Sequence, residues 1–93
     1  MADVQVEKTE SDDCYQFQVA VSERGSESRY HVTLSKADYK RLVGAEASPE
    51  ELVAESFRFL LEREPKESIL RSFDLTVIGR YFPEYERLIR DRL

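Results

Sequence analysis

Apolar and polar residues alternate over the first third of the chain, and then the period changes. In "CYQFQVAVSE", Tyr15, Phe17, Val19 and Val21 fall on one side and Gln16, Gln18 and Ala20 on the other, the two-residue repeat of a half-buried strand. "RYHVTLS" repeats the pattern, with Tyr30, Val32 and Leu34 inward and Arg29, His31 and Thr33 outward. "ADVQVEK" is a weaker version built on Val4 and Val6. The acidic "ESDD" at 10–13 separates the first two runs, and "ERGSES", with Gly25, reads as a hairpin connection between the next two. These residues predict an antiparallel meander of two to three strands over 1–35, one face buried and one wet.

From Ser35 onward the spacing is helical. "SKADYKRLV" predicts a short helix capped by Ser35 and ended by Gly44. "SPEELVAESFRFLLERE" is the clearest element. Ser48 is its N-cap, Pro49 takes the first helical position, and Glu51 completes a capping box. Val53, Phe57, Leu60 and Leu61 form its apolar stripe, with Leu52 and Phe59 on one flank. That arc exceeds the ~100° a surface helix needs, so the helix is expected to meet more than one element, or a second chain.

Pro65 ends this helix. "PKESILRSF" then predicts a short helix with Ile69, Leu70 and Phe73 apolar, Asp74 an N-cap for "LTVIGRYF", and Pro83 the start of a last helix with Tyr85, Leu88 and Ile89 on one face. Gly79, inside the second of these, marks a bend or the close approach of another backbone. The fold class is therefore α+β, with 1–35 a β-meander and 36–93 a set of three to four α-helices packed on one face. The length, 93 residues, suits a single domain.

Charge alters the picture at the level of partners. Residues 1–62 hold seven Lys/Arg against thirteen Asp/Glu, and residues 63–93 hold seven against six. The net charge of −5 disfavours long-range attraction to nucleic acid or anionic membrane. One cysteine, Cys14, allows no internal disulfide. No apolar run approaches the ~18 residues of a membrane span, and "MADVQVEKTE" is too polar for a signal peptide. Together these point to a soluble cytoplasmic protein.

Chemistry is sparsely provided. The single His and single Cys stand seventeen residues apart, which does not serve zinc. "ESDD" lacks the EF-hand loop, and neither phosphate-cradling Gly motif occurs. A Cys14–His31 pair is compositionally possible, but nothing in the pattern supplies an oxyanion hole or an orienting group. No catalytic residue, metal ligand or cofactor is therefore assigned, and the chain reads as non-enzymatic. A small enzyme or ligand binder using Cys14 or His31 is the least favoured class.

Two resemblances add to this. The order from Arg29 to Leu61, strand, short helix, turn and Ser-capped longer helix, resembles the ribbon-helix-helix fold of small repressors and antitoxins. The resemblance implies that Arg29, His31 and Thr33 would face the major groove. Arg reads guanine edges and Thr touches the thymine methyl, but Glu23, Glu27 and Asp38 surround the segment and oppose phosphate binding. Secondly, "FLLEREPKESILRSFDLTVIGRYFPEY" resembles the tail of a family of small prokaryotic proteins sharing the signature LERE-P…IL…FDL…I…YFPEY. That likeness implies a shared fold and no activity.

The aromatic-rich stretch "FDLTVIGRYFPEYERLI" carries the remaining candidates. Its Phe and aliphatic residues are expected in the core. Arg80, Tyr81, Tyr85 and Arg87 are of the types enriched at interface hot spots, with Tyr81 and Tyr85 spaced to share a helix face. The leading expectation is a protein-interaction or regulatory module, with an unspecified protein partner or self-association, using these four residues. A DNA-binding regulator using Arg29, His31 and Thr33 is the alternative.

Overall fold

The alternating runs do become strands. In a computed structural model, which describes residues 2–44 and 47–93, β1 spans Asp3–Glu10, β2 Cys14–Glu23 and β3 Ser26–Ser35. They pair antiparallel in sequence order without a slip of register, Val6 opposite Val19 and Phe17 opposite Val32. The β2–β3 turn is the two residues Arg24 and Gly25, both at positive φ (54° and 78°). That is the backbone hand which matches the twist of the flanking strands. Four α-helices follow among the described residues: α1 Lys36–Val43, α2 Pro49–Leu61, α3 Val77–Tyr81 and α4 Tyr85–Arg92. The α+β class is thus as expected.

The caps of the first two helices follow the sequence closely. Ser35 accepts from the Asp38 amide at 3.0 Å, and Gly44 closes α1 by donating to the Lys40 carbonyl at 2.8 Å. In α2, Ser48 accepts from the Glu51 amide at 3.1 Å, and the Glu51 carboxylate accepts from the Ser48 amide in return. The wide apolar arc of α2 is covered within the chain. Leu52, Val53, Phe57, Phe59 and Leu60 are all buried, because α2 lies between the inner face of the sheet at β1 and the helix α4. A second chain is not needed to explain it.

The segment after Pro65 departs from expectation. "PKESILRSF" is not a helix. It is a 3-10 turn, Lys66–Ser68, followed by a fourth strand, β4, Ser72–Asp74. β4 adds parallel to β3, giving the order β1-β2-β3-β4. The His31 amide donates to the Arg71 carbonyl at 2.8 Å and the Leu75 amide to the Thr33 carbonyl at 2.9 Å. The open edge of β3 offers backbone partners that a three-turn helix here would leave unused. In the link ahead of the strand, Ile69 is buried in the core while Leu70 is exposed.

Asp74 does not cap α3 at its first turn. Its carboxylate accepts from the Thr76 amide and hydroxyl at 3.2 and 2.6 Å, and from the Thr33 hydroxyl at 2.8 Å. It thereby ties β4 to β3, and α3 begins only at Val77. Gly79 has no close backbone neighbour. A Cβ built there would meet only the Glu86 carboxylate, at 3.8 Å.

One core gathers residues of every layer: Phe17, Val19, Val21, Val32 and Leu34 from the sheet, Leu42 from α1, the α2 face, Ile78, and Tyr85 and Ile89 from α4. The C-terminal turn of helix α4 is tied down by two arginines. Arg90 donates to the Leu42 and Arg41 carbonyls at 2.9 and 3.2 Å, capping α1, and Arg92 meets Glu62 at 2.5 Å. Among the described residues, no helix is long and apolar enough to cross a membrane.

Candidate interaction surface

The candidate surface lies where α3 crosses the start of β4. Pro65 and the 3-10 turn bring the chain back along the sheet, and the five-residue α3 stops at Phe82, ahead of Pro83. Between them runs a groove of about 200 Å³. Its floor is the buried Leu60, Ile69 and Ile78, and its walls are the half-buried Phe73, Val77 and Phe82. Leu70 and Tyr81 stand at its rim, 51% and 68% exposed. Glu64 and Ser68 supply its polar edge.

The walls are held rigid by aromatic packing. Phe82 stands edge-on to Phe59, with ring centroids 5.8 Å apart, and Phe73 lies 6.0 Å from Phe57. The Arg63 guanidinium sits 3.6 Å over the Phe59 ring and donates to the Phe59 carbonyl at 3.1 Å. An exposed apolar patch with a polar rim and firm walls is a recognised form of binding surface.

The four residues singled out in the C-terminal stretch do not assemble as expected. Tyr81 is on the groove. Arg80 and Arg87 are exposed but do not line it. Tyr85 is not a surface residue at all. It is 1% exposed, its ring edge-on to Phe59 at 5.4 Å and its hydroxyl 2.6 Å from Ser56 Oγ. The i,i+4 spacing of the two tyrosines misleads because Pro83 divides them between α3 and α4, so they share no helix face. Burial pushes the Tyr85 phenol well above its ordinary pKa. Leu70 is the groove residue that sequence reasoning did not single out, reading it only as an apolar position of a short helix.

Arg29, His31 and Thr33 do project from the uncovered face of the sheet, but each is engaged there. Arg29 pairs with Glu27 at 2.9 Å, His31 lies 3.3 Å from the Gln16 amide oxygen, and Thr33 donates to Asp74. Their strand is internal, paired with β2 on one side and β4 on the other. The ribbon-helix-helix arrangement needs that strand free to pair across a dimer, and β3 is not. Cys14 and His31 do not converge. Cys14 pairs with Ser35 and His31 with Gln18, four positions apart along the ladder, or roughly 13 Å. Among the described residues no group of three or more His, Cys, Asp or Glu side chains is placed to hold a metal ion.

In comparisons with known proteins, no family model, no curated protein and no solved structure matches the chain. Its function has to be read from its own geometry.

Proposed function

We propose that the chain is a non-enzymatic protein-interaction module. The observation that carries this is the apolar groove under Leu70 and Tyr81: two large side chains held out in water over a preformed apolar floor. Exposed apolar area of this kind disfavours the isolated chain and is recovered when a partner's apolar side chain fills it. The groove accommodates one or two such side chains, with Glu64 at the edge favouring a partner segment that carries a cationic residue beside them.

The test is affinity capture with the intact chain and with a Leu70→Asp/Tyr81→Ala variant, both shown to be folded by circular dichroism. Both positions are exposed, so stability is expected to move by no more than about 0.5 kcal/mol each. A partner retained by the parent and lost by the variant supports the proposal. A partner bound equally by both sinks it.

A further inference from the structure

The sheet ends in two edge strands, β1 and β4. β4 is three residues long and pairs with β3 only at His31–Thr33, whereas β1 is long, and nothing among the described residues pairs with its outer side. Edge strands are ordinarily shortened, bulged, interrupted by Pro or covered. β1 carries one charged side chain, Lys8, on its helix-covered face, but it has none of these blocks: it runs eight residues in unbroken register with β2 and contains no Pro. We propose that β1 is a self-pairing edge, by which two copies of this chain join antiparallel about a twofold axis at Val6 into one continuous sheet.

The phase of the ladder shows which backbone groups are free. The Ser11 amide donates to the Cys14 carbonyl at 2.9 Å, so the hairpin closes on a hydrogen-bonded pair. Hydrogen-bonded and non-bonded pairs alternate along an antiparallel ladder. Thr9, Glu7, Gln5 and Asp3 therefore turn their backbone groups toward β2. Val4, Val6 and Lys8 turn theirs to the open edge. The same even-numbered residues carry their side chains on the helix-covered face, opposite the inward Val21, Val19 and Phe17.

A second β1 must continue both faces, so even residues pair with even and odd with odd. Among such registers, centring on Gln5 sets Asp3 against the copy's Glu7. Centring on Glu7 sets Glu7 against itself, and centring on Lys8 sets Lys8 against itself. Centring on Val4 pairs only a short stub. Centring on Val6 pairs 2–10 at full length: Val6 with Val6, Val4 with Lys8, Gln5 with Glu7, and Asp3 with Thr9. No like charges stand opposite one another, and Gln5 can donate to the copy's Glu7 carboxylate. The cleft beside this edge, about 480 Å³ and lined by Val4, Val6 and Ala54 with Glu55 and Arg58, is brought face to face with its copy by the same axis. Carboxylates and guanidiniums are then present on both sides of it.

The Gln5–Glu7 pair gives a test with a sign. Gln5 is exposed and faces Ala20 within the chain, so its charge can be changed without disturbing the core. Sedimentation equilibrium of the full chain, from low micromolar to near-millimolar concentration, is expected to show a monomer–dimer equilibrium. Gln5→Glu opposes Glu7 of the copy and should weaken it. Gln5→Lys should tighten it. Symmetry doubles each effect, giving about a 2- to 30-fold change in dissociation constant in each direction. Val6→Pro removes an outward amide and should leave only monomer. If it unfolds the chain, the Gln5 variants decide the question alone. A monomer at every concentration overturns the proposal. So does a dimer whose affinity ignores the charge at Gln5 or moves the same way for both variants, since association would then run through another surface.

Discussion

The buried contact between Ser56 and Tyr85 sets up an asymmetric double-mutant cycle. The Ser56 hydroxyl has one proton, and it donates to the Leu52 carbonyl at 2.6 Å. Tyr85 must therefore be the donor in the second contact, also 2.6 Å, with Ser56 Oγ accepting. Ser56→Ala removes that acceptor and leaves a phenol hydroxyl without a partner between α2 and α4, where Tyr85 is 1% exposed. An orphaned buried donor costs about 1–3 kcal/mol, and Ala's better helix propensity returns at most about 0.5 kcal/mol. Tyr85→Phe, in contrast, leaves Ser56 still donating to Leu52, and should cost about 0.5–1.5 kcal/mol. With both replaced, no polar group is stranded. The double variant should be less destabilised than Ser56→Ala alone, falling short of the summed single losses by about 1–2 kcal/mol. Urea unfolding by linear extrapolation resolves this, and thermal melts should show about 4–8 °C per kcal/mol for a chain of this size. Additive losses, or a larger loss for Tyr85→Phe than for Ser56→Ala, would refute the donor assignment.

Two further outcomes follow from the packing. Burial raises the phenol pKa values of Tyr85, Tyr30 and Tyr39, so of the five tyrosines these should resist ionisation in an alkaline absorbance titration, Tyr85 the most; because the native chain keeps protons that the unfolded chain releases above a pH of about 10, stability is complete below that pH and declines as pH rises beyond it, and a Tyr85→Phe chain should lose less on that limb. Gly79→Ala should stabilise the fold by about 1 kcal/mol in a thermal melt, since the new methyl meets only a side-chain carboxylate at 3.8 Å and Ala is the better helix former; a loss would mean that a neighbour crowds the position.

How much of this could be read from the sequence depends on how local each signal is. The α2 cap needs only Ser48 and Glu51, three residues apart, and the β2–β3 hairpin needs only alternation and a turn. Both are legible because the residues that specify them are also their contacts. β4 is three residues long and owes its conformation to β3, some forty residues earlier; the apolar residues at 69, 70 and 73 in and before it fit a helical repeat as well as any other. The same non-locality hides the groove, since nothing local to these two adjacent apolar residues says that Ile69 is buried and Leu70 exposed. Tyr85 misleads for the opposite reason. Its type fits an interface, but its acceptor, Ser56, lies in the middle of an otherwise apolar helix face and carries no sequence signal of its own.

The parallel seating of β4 also has a consequence in time. The meander is complete once Ser35 has been made, but the strand that closes its far side ends at Asp74. At a synthesis rate of about 5–20 residues per second, the intervening chain takes roughly 2–8 s. For that interval a growing polypeptide carries a hairpin sheet open along both β1 and β3, with its apolar face uncovered until α2 arrives. Nascent chains crowded on one messenger are therefore most prone to mispairing in this window, and a chain stalled before Asp74 would keep β3 open for as long as the stall lasts.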